Sequence, residues 1–355
     1  MQAIGRRSSP SGGRGFPGRG KDTGGRVAAL GWPRLRAPRF VAARPLLPIR
    51  SVESEPELWA LVLAGGDGTR LQGLTRRVAG APIPKQYCRL LGDRTLLEAT
   101  LDRVRAIAPP GRTVAIVNRD HLPLARGQLA TLPAENVLVQ PRNRDTGPGL
   151  LLSLLALARR DPRALVAVFP SDHYVAAPEV LAVHVRTAAR TAALLPAKVA
   201  LLGIPPERPD AEYGYIEPGM PVGAGATAFH VAAFWEKPDV PTARGIIARG
   251  GLWNAFLLVG RIGRLLELLA IARPADFERL WSAADDAERL AATYAALAPW
   301  NFSRDFLAEA ADHLVVEPAV GTGWSDWGTP ESVLRTLRAL RQPPPWESAA
   351  PAPAA

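Results

Sequence analysis

The segment LAGGDGTRL, Leu63 to Leu71, sets Gly65, Gly66 and Gly68 directly after an apolar run and follows them with Thr69 and Arg70. Glycines so placed let backbone N–H groups approach an anion closely, and an arginine supplies charge to phosphate oxygens. That is the chemistry of a triphosphate cradle, with Lys85 in the following PKQ, Pro84 to Gln86, as a second cation. The pattern is neither the dinucleotide GxGxxG nor the P-loop GxxxxGK[ST], and a glycine-rich turn after a strand is also an ordinary structural feature. PSDH, residues 170–173, ends a second apolar run and leaves Asp172 where a hard cation can be held. A turn or cap residue fits that position equally well, so a second carboxylate is needed to favour a cation. Asp326 in GWSDWG, flanked by Gly323 and Gly328, sits in a tight turn that can bring a carboxylate close to bound phosphates. EKP, 236–238, closes a third run and offers Lys237 as a point charge for another phosphate.

Lysine usage sharpens these choices. The chain has lysine only at positions 21, 85, 198 and 237, and arginine supplies its other basic side chains. A compact ammonium at 85 and 237 therefore points to sites where a broad guanidinium does not serve.

The elements that must position these groups follow from periodicity. Short apolar runs WALVLAGG, TVAIV (113–117), VLVQ (137–140), LVAVFPSDH (165–173) and VALLG (199–203) alternate with amphipathic stretches. Helices are expected at 95–107, near 121–131, at 146–159 and at about 178–194. Such alternation means βαβ units, an α/β fold with a Rossmann-like, mixed but mainly parallel sheet flanked by helices, and ligands at the carboxyl ends of its strands. From EYGYI (212–216) through HVAAFWEKP to WNAFLLVG (253–260) the pattern loosens into strands expected to be antiparallel. Helices follow over about 261–310, then the strand HLVVEP (313–318) and a last helix to about 341. Asp145 is placed to cap the helix that begins at Thr146.

Charge is divided unevenly. Residues 1–50 carry ten arginines, Lys21 and one acid, Asp22, which accounts for the whole net charge of +10. The rest of the chain is neutral, so no specific nucleic-acid partner is expected of it. The domain reading is a basic, Gly/Pro-rich, disordered tail at 1–53, a catalytic domain at 54–341 and a disordered Pro/Ala-rich tail at 342–355. A transit segment, a polyanion-binding arm or a translation start downstream of Met1 are the other readings of the first segment. Apolar runs are too short to span a bilayer, and the lone Cys88 excludes an intrachain disulfide, so a cytoplasmic location is expected.

LAGGDGTRLQGLTR followed by PKQ resembles the signature of the sugar nucleotidyltransferases, the pyrophosphorylases that make nucleotide sugars. QPRNRDTGPG, 140–149, is similar to the EPxxRNTAPA element of bacterial mannose-1-phosphate guanylyltransferases, and FPSDH, EYGYIEPG, FWEKPD, LWNAF and GWSDWG follow in that family's order. The resemblance implies nucleotide contacts from Leu63, Ala64, Gly65, Gly66, Gly68, Thr69, Arg70, Lys85, Gln140 and Thr146. It implies sugar-phosphate contacts from Gly214, Glu236, Lys237 and Asn254, and a magnesium ion (Mg2+) on Asp172 and Asp326. Catalysis then falls to Arg70, Lys85, Asp172, Lys237 and Asp326, and the implied reaction joins GTP to mannose-1-phosphate, giving GDP-mannose and pyrophosphate. A uridylyl- or thymidylyltransferase acting on glucose-1-phosphate, or a non-catalytic sensor of nucleotide sugars, are the alternatives, and a homodimer is compatible with each. Three departures stand out. The stretch from Thr75 to Pro84 is longer than the family's usual spacing, Gln72–Gly73 replaces a Trp-Pro pair, and NFSRDFL (301–307) only loosely resembles the family's SIDY segment. The isomerase-type or β-helical domain of many relatives has no counterpart in the sequence, from which a single activity is expected.

Overall fold

A computed structural model describes residues 57–344 and Trp346. The expected basic tail at 1–53 and most of the segment 342–355 lie outside the described residues. Eleven strands are present among those described: β1 (Leu58–Ala64), β2 (Thr113–Asn118), β3 (Val137–Gln140), β4 (Leu165–Pro170), β5 (Tyr174–Val175), β6 (Val199–Ile204), β7 (Tyr215–Pro221), β8 (Phe229–Trp235), β9 (Leu252–Arg261), β10 (Leu314–Pro318) and β11 (Trp324–Ser325). Nine form one sheet in the order β3-β2-β1-β4-β9-β6-β10-β8-β7, and β5 pairs with β11 in a separate two-stranded ribbon.

The first four strands of that order are all parallel, β1 lying between β2 and β4. β1, β2 and β4 are apolar and almost wholly buried on both faces, as a sheet covered on both sides by helices requires, and β3 at the edge is partly exposed. One buried cluster, with Val62, Ala115, Phe169 and Val185, fills one face, and another, with Leu61, Ile116, Leu154 and Leu265, fills the other. The chain runs outward from β1 to β3 and returns to β4 on the opposite side, so the order reverses between β1 and β4. Loops leaving neighbouring strands at such a reversal diverge and open a crevice at their carboxyl ends. β9 then runs antiparallel to β4 and β6, and β7 and β8 complete an antiparallel end.

The expected strands and long helices are found, with ends shifted by a few residues. The helix expected near 121–131 reduces to Leu122–Ala125, followed by turns around Gly127. The long segment after Thr75 is taken up by a helix, Gln72–Ala79, that Gly80 terminates in the left-handed conformation at φ 74°. Thr75 Oγ1 donates to the Ile83 carbonyl at 2.7 Å and so folds the rest of the segment back. NFSRDFL contains a π-helical turn, Ser303–Leu307.

A third, smaller cluster joins parts distant in sequence. Leu71 and Leu74 beside the glycine loop, Cys88, Leu90 and Leu96, and Trp327, Val333 and Leu337 near the other end are buried together, with Trp346 packed against them. Trp327 is fully buried, stacks on Tyr174 with ring centroids 5.0 Å apart, and donates from Nε1 to Thr336 Oγ1 at 2.9 Å. This cluster ties the glycine loop to the turn that carries Asp326.

Candidate active site

The glycine loop is shaped from behind. Gln86 Nε2 donates to the Gly66 carbonyl at 2.7 Å and Tyr87 Oη to the Ala64 carbonyl at 2.7 Å. Gly68 takes φ +59°, and a Cβ there would stand 3.1 Å from the backbone of Pro84 and Lys85, so the loop and PKQ pack without room for a side chain. In front lies a cavity of about 520 Å³ whose lining includes Leu63, Gly65, Gly66, Asp67, Gln140, Thr146 and Asp172. That is a small-molecule size, at the crevice between β1 and β4. Ala64 is fully buried beneath it.

Gln140, at the end of β3, is buried and accepts from Tyr294 Oη at 2.8 Å. A Cβ on Gly65 would come within 2.4 Å of its Nε2 and one on Gly149 within 3.1 Å of its Oε1, so two glycines make space for this amide. Asp145 caps the helix Thr146–Ala158 as expected, accepting from the Thr146 N–H at 2.6 Å. Thr146 Oγ1 accepts from the Phe302 N–H at 2.9 Å, so it holds the following segment as well as facing the cavity.

The two aspartates meet through the β5–β11 ribbon. Pairing Ser325 with Tyr174 and Trp324 with Val175 brings the turn after β11 alongside the loop after β4. Gly323 makes the approach possible, since a Cβ on it would lie 2.5 Å from that of Ala176. Lys85 is 7% exposed and bridges the pair: its Nζ donates to the carbonyls of Asp326 at 2.5 Å and Trp327 at 3.0 Å and stands 3.3 Å from Asp172 Oδ2. Burial acts to raise the Asp172 carboxyl, but Lys85 and His173 outweigh it and hold its pKa below the ordinary carboxylate value. Asp172 is therefore anionic at neutral pH. His173 is pushed down to about 4, chiefly by burial, and is neutral. Trp324 Nε1 donates to its Nδ1 at 3.1 Å, which leaves the ring proton on Nε2. Arg103, buried on the far side, donates to the His173 carbonyl at 2.9 Å and anchors the loop.

Asp326 Oδ1 accepts from Tyr213 Oη at 2.9 Å and from the Gly328 N–H at 2.9 Å, leaving Oδ2 as the oxygen for a cation. Oδ2 would lie only 2.4 Å from a Cβ on Gly328, so the carboxylate folds over a glycine that must stay one. Among the described residues no cluster of three or more His, Cys, Asp or Glu is arranged to hold a metal by itself. Two carboxylates do suit a hard cation that fills its shell with phosphate and water oxygens.

On the other side of Asp326 lie the residues expected to meet a sugar phosphate. The Gly214 carbonyl accepts from the Asn254 N–H at 2.8 Å, and a Cβ on Gly214 would stand 2.9 Å from Glu236 Oε2. Gly214, Glu236 and Asn254 thus lie together, next to Tyr213 and Trp253, whose rings are in edge contact at 4.7 Å. Burial raises the Glu236 carboxyl above its ordinary value. Lys237 and Arg70 are exposed and both face Glu212, whose Oε2 is 2.7 Å from Arg70 Nη1 and 3.9 Å from Lys237 Nζ. Thr69, also exposed, starts the short 3-10 turn that carries Arg70.

Of the five non-glycine residues with positive φ among those described, Asp145, Lys237, Phe256 and Trp327 all flank this cleft. Strained backbone collects at sites whose surroundings over-determine it. Sequence reasoning missed Asp67, Gln86, His173, Glu212 and Tyr213 as parts of the site. Adjacency to assigned motif residues was the one available signal for them.

The family described as Nucleotidyl transferase matches residues 59–342, nearly the whole described chain. The chain belongs to that family. It is 35% identical over 301 residues to a mannose-1-phosphate guanylyltransferase of Escherichia coli K12, covering 78% of this chain and 59% of that protein. It is 34% identical over 283 residues to the xanthan biosynthesis protein XanB of Xanthomonas campestris, covering 77% of this chain and 58% of that protein. This nucleotidyl transferase chain therefore spans less than two thirds of the length of either relative. A solved structure from Thermus thermophilus, described as a mannose-1-phosphate geranyltransferase, superposes with a TM-score of 0.69 at 30% identity, over 83% of this chain and 80% of that one. One from Helicobacter pylori, described as a mannose-6-phosphate isomerase, gives 0.59 at 20% identity over 76% of this chain and 100% of that one, a likeness of fold alone. Among the described residues no helix is long and apolar enough to cross a membrane.

Proposed function

We propose that this nucleotidyl transferase joins GTP to mannose-1-phosphate and releases pyrophosphate, forming GDP-mannose. The observation that carries the proposal is the convergence of two binding regions on one pair of carboxylates. The glycine-lined cavity opens on Asp172, the Gly214–Glu236–Asn254 cluster adjoins Asp326 through Tyr213, and Lys85 bridges the Asp172 carboxylate and the Asp326 backbone. Relatives named mannose-1-phosphate guanylyltransferase, in Escherichia coli and Salmonella typhimurium, support the choice of substrates.

In this reading the amides of Gly65, Gly66 and Gly68 and the Arg70 guanidinium bind the triphosphate, and Gln140 and Thr146 face the base and ribose. Glu236 and Asn254 orient the sugar hydroxyls, and Lys237 holds the sugar phosphate beside the α-phosphate. An oxygen of the sugar phosphate forms the new bond to the α-phosphorus as the bond from that phosphorus to the bridging oxygen of pyrophosphate breaks. The nucleophile is already an anion, so no general base is required, and alignment and charge neutralisation carry the rate. Asp172 and Asp326 would hold magnesium, which neutralises triphosphate charge when bound. Lys85 keeps the Asp172 carboxylate and the Asp326 backbone in register from behind.

The test is pyrophosphate release measured for four nucleoside triphosphates against several sugar-1-phosphates. GTP with mannose-1-phosphate is expected to give the highest kcat/KM, by about tenfold or more, a margin of about 1.4 kcal/mol. Equal use of another base would overturn the choice of GTP, and no release with any triphosphate would overturn the reaction.

A further inference from the structure

Glu212 has no part in the reaction just described, yet its carboxylate lies at the centre of the phosphate-binding charges. It sits in the loop between β6 and β7, next to Tyr213, whose hydroxyl binds Asp326. One oxygen, Oε2, meets Arg70 Nη1 at 2.7 Å and Lys237 Nζ at 3.9 Å. The loop is braced to present it: the Glu212 N–H donates to Asp210 Oδ1 at 3.0 Å, and Arg208 Nη2 donates to Asp210 Oδ2 at 2.7 Å. An anionic oxygen between a guanidinium and an ammonium makes the charge-assisted contacts that a phosphoryl oxygen makes. The two cations come from elements assigned to different substrates, the glycine loop and the end of β8.

We propose that Glu212 is an internal stand-in for substrate phosphate. With no substrate bound, its carboxylate holds Arg70 and Lys237 at the spacing that the phosphates later span, and phosphate binds by displacing it. This deepens the two-substrate reading above and rests on it for the identity of the two cations. All three side chains are about half exposed, at 53%, 50% and 48% for Arg70, Glu212 and Lys237, so the contact is easily exchanged. Exposed ion pairs contribute little, and the competition that Glu212 exerts is worth about a two- to fivefold change in affinity.

The experiment titrates the whole chain with inorganic pyrophosphate by calorimetry, without divalent ions, in wild type and in the variants Glu212→Gln, Arg70→Ala and Lys237→Ala. Glu212→Gln removes the charge and keeps the shape, and it is expected to bind pyrophosphate about two- to fivefold more tightly. Arg70→Ala and Lys237→Ala are expected to weaken binding. In steady-state kinetics with magnesium, the Glu212→Gln effect should appear as lower KM for GTP and for the sugar phosphate, with kcat bearing little of it. Unchanged or weaker pyrophosphate binding in Glu212→Gln, with the cation variants weakened, overturns the stand-in and leaves the two-substrate reading intact. A fall in kcat with raised magnesium demand also overturns it, because Glu212 is then a metal ligand. Pyrophosphate binding that no cation variant alters overturns the site reading itself.

Discussion

Around Gly65 and Gly66 the cleft presents backbone, whereas around Glu212 it carries the long charged side chains of Arg70 and Lys237. Gly65, Gly66 and Gly68 present backbone, with the carbonyls of Gly66 and Ala64 pinned from behind by Gln86 and Tyr87. Arg70 and Lys237 are exposed, and both face one acid, Glu212, at 2.7 and 3.9 Å. A backbone cradle is preorganised, and at Gly65 and Gly68 it has no room for a side chain, so steric change there should damage it most. A charge cluster in water adapts its shape but weakens with salt, so ionic strength should affect it most. Between the two stand Asp172, which lines the cavity, and Asp326, which Tyr213 holds.

Three changes would break or sharpen that contrast. The largest effect is expected at the shared centre: Asp326→Asn keeps the acceptor for Tyr213 and Gly328 but loses the charge, and kcat should fall by about 10²- to 10³-fold with an unchanged melting temperature. Activity near wild type would remove Asp326 from the chemistry. At the glycine loop, Gly65→Ala places a methyl 2.4 Å from the Gln140 amide nitrogen. Overpacking of that kind costs about 1–3 kcal/mol, and kcat/KM for the triphosphate should fall about 10- to 100-fold, by a factor that salt hardly alters. The smallest change is expected from Lys237→Ala, which should raise KM for the sugar phosphate about five- to tenfold in dilute buffer and by much less near 0.5 M salt. Kinetics at two ionic strengths check both variants. If the Gly65→Ala defect were the salt-sensitive one, the division into a backbone end and a charge end would be wrong.

Legibility in the sequence followed the range of the interaction concerned. The run WALVLAGG announces a buried strand and a glycine-rich turn because both depend on neighbours within a few residues. The capping of Thr146 by Asp145 was legible for the same reason. The expected helix near 121–131 was not, because its apolar spacing is local but Gly127 and the preceding turn cut it to Leu122–Ala125. Glu212 gave no sign of a role, since an acid in a loop is usually solvated and its two partners lie far away along the chain.

By itself the sequence determined which segments could bind phosphate, by glycine spacing, and which carboxylates and ammonium groups stood ready at strand ends. Only the tertiary structure decided how those groups combine. The β5–β11 ribbon, two residues on each side, sets Asp326 beside Asp172, and no periodicity reports so short a pairing. Lys85 was legible as a cation facing phosphate, yet burial directs it to the carbonyls of Asp326 and Trp327 and to Asp172. The physical reason is that a buried ammonium must satisfy its donors within the protein, and what lies within 3.3 Å of it is fixed by packing across the whole fold.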